Sequence, residues 1–273
     1  MDKLKRYSLG DHSAREIRVH LLLLATVFWV LVILGRLGYP AENNYSITRE
    51  TLSALGSFES RYNPQWFWLF TVAMTYCGLL LVPVVFYIYR HFKGISRWGA
   101  AAGACFFQLG ALGILLAGLF PYAHSSVIGN WEWKDFHLAG AALIIIGFVP
   151  GIFFYAALVI KDFMRDRTFA AYNKNPYRWI IGPFLFCIPV MGFVVYHVQW
   201  TSVYSALIML IRNSRPEMVA HLSDALRQFA RYPLLEHVAI WTLTLFIFWF
   251  AMALPCRYSS VRVEQDGDRN TRS

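Results

Sequence analysis

Six long apolar stretches alternate with short polar segments along the chain. Each stretch has about 20 largely apolar residues, the length that an α-helix needs to cross a bilayer core of about 30 Å. The pattern predicts an all-α, polytopic integral membrane protein with six transmembrane helices. The predicted spans cover residues 19–39, 66–89, 98–120, 137–160, 179–200 and 234–255.

The polar segments divide the chain into a short N-terminal segment (1–18), a six-helix domain (19–256) and a polar C-terminal tail (257–273). Within the domain, residues 201–232 form an insertion between the fifth and sixth spans. Ser214-Arg215-Pro216-Glu217 resembles a capping box with proline in the first helical turn, and apolar residues follow at helical spacing. This pattern predicts an extra amphipathic helix, either lying on the outer leaflet or packed over the mouth of the bundle.

The basic residues predict an orientation. The chain has 25 Lys and Arg against 16 Asp and Glu, and most of the basic residues fall in the segments 1–18, 90–97, 161–178 and 257–273. Because cytoplasmic loops carry the excess of Lys and Arg, both termini are predicted to be cytoplasmic. The chain has no zinc-finger or RNA-recognition motif, so its positive charge does not indicate a nucleic-acid partner.

Composition narrows the class of protein further. Hydrophobic residues make up 57% of the chain and charged residues 15%, whereas a soluble domain has about 25% charged residues. This excludes a water-soluble globule. The third span is rich in glycine and the fourth opens with Ala139-Gly140-Ala141-Ala142, so these two helices are predicted to pack closely.

In the predicted orientation, many polar side chains gather on the outer side of the membrane. We expect six of them to line one outward-facing pocket: Glu50, Ser53, His124, His137, Glu236 and His237. If the protein is an enzyme, His137 or Glu236 is the expected general base and Ser53 the nucleophile or a head-group contact. Lys134 is the expected anion contact, and Glu50, His124 and His237 are expected to bind substrate.

Several of these residues have simpler alternatives. Glu50 and Ser53 share a face if their segment is helical, but the same segment fits a short capped helix that ends at Gly56. His124 and His137 could be two zinc ligands, although the chain has neither HExxH nor HxxxH, so the metal content stays open. The alternative is histidines at the membrane interface that are hydrogen-bonded to loop carbonyls.

Short motifs on the outer side resemble a known family. They are Thr51-Leu52-Ser53-Ala54-Leu55-Gly56, Asn63-Pro64, Gly118-x-Phe120-Pro121 and His137 at the head of a small-residue helix. Together they resemble a prokaryotic six-helix membrane family of unknown function that is related to the FRAG/DRAM/Sfk group. Ser53, Gly56, His137 and Glu236 match that group's pattern, while residues 201–232 depart from it.

The resemblance implies a role with lipids. Proteins of the wider group take part in lipid remodelling, so the expected function is binding of lipid head groups, with hydrolysis or acyl transfer as the reaction. The alternative is a non-catalytic carrier of lipid or solute, or a membrane accessory module. Expected partners are membrane lipids and a second copy or another membrane protein, and the expected location is the cell membrane if the source is prokaryotic.

Overall fold

The computed structural model describes residues 6–43, 45–63, 65–129, 131–165, 180–194, 196 and 232–254. Over these residues the chain is mainly helical. The helices are α1 (Ala14–Leu37), α2 (Phe67–Phe92), α3 (Arg97–Leu119), α4 (Trp133–Arg165), α5 (Ile180–Val194) and α6 (Tyr232–Ala253). Two short 3₁₀ helices, Ala41–Asn43 and Leu52–Gly56, and a small antiparallel hairpin of β1 (Ser126–Ile128) and β2 (Trp131–Glu132) lie between them.

Five of these helices, α1, α2, α3, α4 and α6, are long and apolar enough to cross a membrane. The prediction of an α-helical, multi-pass membrane protein is confirmed at this level. The described part of α5 is also apolar, and its 15 residues, Ile180–Val194, fall within the predicted fifth span 179–200, whose other residues, apart from 196, lie outside the described ranges. The predicted amphipathic helix in 201–232 and the tail 257–273 lie outside the described residues, apart from the start of α6 at Tyr232.

Helix α1 begins before the first predicted span because its N-terminus has a complete capping box. The backbone N–H of Glu16 donates to the Ser13 hydroxyl at 3.2 Å, and the N–H of Ser13 donates to the Glu16 carboxylate at 2.7 Å. Both bonds satisfy amide groups that have no partner inside the helix. Residues 14–18 of the predicted N-terminal segment therefore belong to α1.

Residues 6–13 fold back against α2. The Asp11 carboxylate pairs with Arg6 at 3.0 Å and with Arg90 of α2 at 2.9 Å, and the hydrogen bond from Arg6 lowers the pKa of Asp11. Gly10 has a φ of 67°, and a Cβ there would lie 2.3 Å from the backbone nitrogen of Tyr87. Only glycine fits both the left-handed conformation and this close approach.

Helices α3 and α4 make the most extensive helix contact in the described part of the chain. Their small residues let the backbones touch: a Cβ on Gly113 would lie 2.6 Å from the carbonyl oxygen of Gly140. A Cβ on Gly147 would lie 2.1 Å from the backbone nitrogen of Gly110. The predicted packing of the third span against the fourth is confirmed.

Replacing Gly147 with alanine is expected to lower the free energy of unfolding by about 1–3 kcal/mol, because the new methyl group must push α3 and α4 apart. Thermal unfolding of the purified protein in lipid nanodiscs measures the effect. Gly192→Ala is the matched control, since a Cβ at Gly192 of α5 meets no atom of the described residues within 4 Å. Equal stability of Gly147→Ala and the wild type would contradict this packing.

The bundle has two ends, which we name by their residues. The loop end comprises residues 38–43, 45–63, 65–66, 120–129, 131–132 and 233–237, and the opposite end comprises residues 6–13 and 92–97. One buried cluster extends to the opposite end and includes the aromatic side chains Phe92, Phe107, Tyr155, Phe246 and Phe250. A second cluster lies towards the loop end and packs Leu52 and Leu55 against Phe70 and Met74, which fixes the 3₁₀ helix on α2.

Candidate functional site

The 3₁₀ helix Leu52–Gly56 lies at the loop end, and all five of its residues are buried. Gly56 lies against α2, where a Cβ would be 2.3 Å from the Phe70 ring. Thr51 is extended (φ −69°, ψ 158°), so the helix starts after Glu50. Glu50 and Ser53 therefore do not share a helical face, and the alternative of a short helix ending at Gly56 is confirmed.

The Glu236 carboxylate connects α6 to this 3₁₀ helix. It is partly buried and accepts hydrogen bonds from the backbone N–H groups of Leu52 and Ser53. The first amides of a helix have no partner within it, so the carboxylate supplies the missing acceptor. Glu236 and Ser53 are thus in contact, but the Glu236 carboxylate meets the backbone N–H of Ser53 and not its hydroxyl. The Ser53 hydroxyl donates to Thr51 Oγ1 at 2.9 Å.

His237, the next residue of α6, contacts the same segment through Tyr45. Its Nδ1 lies 2.7 Å from the Pro233 carbonyl oxygen and its Nε2 lies 2.8 Å from the Tyr45 hydroxyl. A carbonyl can only accept, so Nδ1 carries a proton and donates to Pro233. The Tyr45 hydroxyl, which hydrogen-bonds to Nε2, also donates to the Thr51 carbonyl oxygen at 3.3 Å. The ring is 1% exposed. His237 therefore holds the Tyr45 side chain in place.

His137 lies apart from this group, between α3 and α4. It is buried, and its Nδ1 donates to the carbonyl oxygens of Ala117 at 3.1 Å and Phe120 at 2.9 Å. These carbonyls belong to the end of α3, where the last C=O groups have no partner inside the helix. The ring also packs edge-on against Tyr122. These contacts cap α3, and none of them reaches Ser53 or Glu236.

His124 and Lys134 form a third group, around Glu132. The Glu132 carboxylate lies 2.9 Å from Lys134 Nζ and 3.3 Å from His124 Nδ1, and the His124 backbone N–H donates to Glu59 at 2.6 Å. The hydrogen bond from Lys134 lowers the pKa of Glu132. Glu132 thus already neutralises the charge of Lys134, the predicted anion contact.

The predicted site residues therefore make three separate sets of contacts. Ser53 and Glu236 meet at the 3₁₀ helix with His237 beside them, His137 caps α3, and His124 and Lys134 share Glu132. Within the described ranges, no group of three or more His, Cys, Asp or Glu side chains is placed to hold a metal ion. In particular, the ring nitrogens of His124 and His137 contact different partners, which does not support these two residues as a shared zinc site.

Tyr39 is the residue that the sequence analysis missed. Its side chain is 6% exposed, and its hydroxyl has no hydrogen-bond partner in the part of the chain that the structure describes. Burial raises the pKa of Tyr39 to about 12, an effect that the nearby Glu50 increases and that Arg61 and Arg36 oppose. The hydroxyl is therefore protonated at neutral pH. It is a buried donor without an acceptor among the described residues.

Two arginines, Arg36 and Arg61, act electrostatically on Tyr39. The Arg36 guanidinium is 5.0 Å from the centre of the Tyr45 ring and donates to the Tyr45 carbonyl at 3.0 Å. The Arg61 guanidinium is 4.5 Å from the centre of the Tyr62 ring and donates to its hydroxyl. Both arginines are exposed, and neither forms an ion pair with a carboxylate within the described residues.

These residues form one group at the loop end, which we call the tyrosine–arginine site. It comprises Arg36, Tyr39, Tyr45, Glu50, Arg61 and Tyr62. Tyr45 links it to His237, and its ring lies 5.2 Å from that of Tyr39. One sequence signal was available: Arg36 near the end of the first predicted span and Arg61 in the loop that follows belong to the predicted outer side, where basic residues are fewer.

Comparison of the chain with protein-family models, curated proteins and solved structures gave no match.

Proposed function

We propose that the protein binds phosphate-bearing head groups of membrane lipids at the tyrosine–arginine site, without catalysing a reaction. The observation that carries this proposal is the buried Tyr39 hydroxyl, which has no acceptor among the described residues. The nearby guanidinium groups of Arg36 and Arg61 act on it electrostatically, and neither has a carboxylate partner among those residues. Buried polar groups are almost always hydrogen-bonded. The planar fork of a guanidinium matches phosphate oxygens, and a tyrosine hydroxyl adds a third donor.

The proposal includes the arrangement of the chain in the membrane. Six spans with both termini in the cytoplasm place the loop end on the outer side, as the distribution of Lys and Arg favours. Trp66 and Trp131 at the loop end are 42% and 61% exposed, which is typical of side chains at the level of lipid head groups. The tyrosine–arginine site then lies where a lipid of the outer leaflet presents its phosphate.

Binding is favoured over hydrolysis or acyl transfer because of the contacts of the predicted catalytic residues. A serine nucleophile needs a base within hydrogen-bonding distance. The Ser53 hydroxyl donates to Thr51, and Nδ1 of His137 donates to the end of α3. Glu236 accepts from backbone amides. The non-catalytic lipid-binding alternative accounts for these contacts without requiring a rearrangement.

Replacing Arg61 with glutamine is expected to weaken binding of dihexanoyl phosphatidylglycerol by about tenfold or more. A hydrogen bond to a charged group contributes about 1.5–3 kcal/mol, and 1.4 kcal/mol corresponds to a factor of ten. Titration of the purified protein with this lipid, followed by native mass spectrometry, measures the dissociation constant. Arg61→Lys should recover part of the affinity, since it restores the charge but not the fork.

Arg49→Gln is the matched control, because Arg49 is an exposed arginine of the same segment with no hydrogen bond or ion pair to the site in the described structure. Its dissociation constant should equal that of the wild type. Unchanged binding in Arg61→Gln, or an equal loss in both variants, would rule out the proposed site.

A further inference from the structure

Residues 6–13, which fold back against α2, take part in a cluster of histidine and tyrosine side chains that the proposed function does not use. The Tyr7 hydroxyl hydrogen-bonds to Nδ1 of His20 in α1, and Nε2 of His20 lies 2.8 Å from the Leu80 carbonyl oxygen of α2. Because a carbonyl can only accept, Nε2 carries a proton, and in the neutral ring Nδ1 accepts from Tyr7. One buried histidine thus joins the N-terminal segment to two helices.

His12 packs on this histidine. The ring centres of His12 and His20 are 5.9 Å apart with nearly parallel planes, and the Tyr7 ring meets His12 edge-on at 4.7 Å. The Tyr87 ring of α2 is 6.3 Å away. The Nε2 atom of His12 is buried and has no hydrogen-bond partner among the described residues. A neutral ring can leave this nitrogen without a proton, whereas a protonated ring needs an acceptor that the described residues do not offer there.

The surroundings of His12 disfavour its charged form. Burial lowers the pKa of His12, and the nearby His20 lowers it further. Glu16 and Asp11 raise the pKa and Arg90 lowers it, so it lies below its ordinary value overall. The titratable and charged groups that face the ring are Tyr7 and Asp11 of its own segment, His20 and Glu16 of α1, and Tyr87 and Arg90 of α2.

A lowered pKa gives the docking of this segment a pH dependence of definite sign. The docked segment binds fewer protons than a released one, in which His12 regains its ordinary pKa of about 6.5. Docking is therefore strongest above this pH and weakens as the pH falls below it.

We propose that residues 6–13 are an N-terminal latch, docked on α1 and α2 at neutral pH and released on acidification by protonation of His12. Release uncovers the end of α2 around Tyr87 and Arg90, which the docked segment contacts through His12 and an ion pair. This inference does not depend on the proposed function, because the latch and the tyrosine–arginine site lie at different ends of the bundle.

Hydrogen exchange of the full-length protein in nanodiscs, measured by mass spectrometry at pH 7.5 and 5.5, tests the latch. The amides of Gly10 and Asp11, which donate to carbonyl oxygens of the same segment at 3.0 and 2.9 Å, are the probes. After correction for the intrinsic pH dependence of exchange, their protection is expected to fall about threefold or more at pH 5.5. The protection of α3 should not change. Unchanged protection of residues 6–13 in the wild type would overturn the proposal.

His12→Gln is the decisive variant, because glutamine does not titrate. Its residues 6–13 should have equal protection at both pH values, a result that the loss of a merely structural ring would not produce. His124→Gln is the matched control, since His124 is an exposed histidine of the loop end, and it should keep the wild-type response. A pH response that persists in His12→Gln would overturn the proposal.

The midpoint of the wild-type response is a second measure, which does not depend on the folding of a variant. Carboxylates ordinarily titrate near pH 4. The hydrogen bond from Arg6 lowers the pKa of Asp11, so this carboxylate stays ionised between pH 7.5 and 5.5. A midpoint between about 5 and 6.5 is expected for His12. Loss of protection that starts only below about pH 5 would come from carboxylates and would overturn the latch.

Discussion

Replacing Glu236 with alanine is expected to lower the free energy of unfolding by about 2–4 kcal/mol and to weaken lipid binding about tenfold or more. The carboxylate accepts hydrogen bonds from the backbone amides of Leu52 and Ser53. Its removal leaves both donors without an acceptor in an apolar environment, and each such group costs about 1–3 kcal/mol. It also separates α6 from the segment that carries Tyr39, Tyr45 and Glu50.

Glu236→Gln is the informative companion variant. The glutamine side chain has the same shape and keeps one acceptor oxygen, so it should satisfy one amide and lose about half as much stability. Thermal unfolding in nanodiscs, followed by tryptophan fluorescence, measures both variants against the wild type. If Glu236→Ala unfolds at the wild-type temperature, the contact between Glu236 and the 3₁₀ helix does not stabilise the protein, and this part of the account is wrong.

Replacing Asn63 with alanine is expected to have an effect of similar size, about 2–4 kcal/mol on the free energy of unfolding. Asn63 is 0% exposed, and its Nδ2 donates to the carbonyl oxygens of Gly35 and Leu55, both at 3.1 Å. One amide group thus joins the end of α1 to the end of the 3₁₀ helix. Without the Asn63 amide, these two carbonyl groups lose their donor, and the end of α1 that carries Arg36 is no longer fixed to the 3₁₀ helix.

Asn43→Ala is the matched control for Asn63→Ala. Asn43 is exposed and donates one hydrogen bond, to the carbonyl oxygen of Arg61 at 2.6 Å. Water can replace this bond, so the variant should lose about 1 kcal/mol or less. Denaturant titration of both variants in the same detergent gives the comparison. Equal losses at the two positions would show that the bridge from α1 to the 3₁₀ helix does not stabilise the loop end.

The apolar pattern of the sequence predicts the helices well, because burial in a bilayer requires long uninterrupted apolar segments. The predicted spans 66–89 and 98–120 differ from α2 (Phe67–Phe92) and α3 (Arg97–Leu119) by only a few residues. Helix α4 starts four residues before the predicted position 137 because the Asp135 carboxylate accepts from the Glu132 backbone N–H at 2.9 Å. Hydropathy does not detect such a polar helix start.

The candidate site was less predictable, because its contacts join distant parts of the chain. The bond between Tyr45 and His237 connects residues 192 positions apart. Tyr39 stands at the end of the first predicted span, where a tyrosine usually indicates only the membrane interface. No local pattern shows that its hydroxyl is buried without a partner. His137 was predicted at the start of a helix and lies in the second turn of α4, but only the fold shows that it caps the end of α3.

The most direct test of the central claim is an experimental density map of the protein in nanodiscs that contain phosphatidylethanolamine. We expect density for a lipid phosphate within hydrogen-bonding distance of the Tyr39 hydroxyl and of the Arg36 and Arg61 guanidinium groups. Ordered head-group density at another position, such as beside Lys134 and His124, with none at Tyr39, would contradict the proposed site.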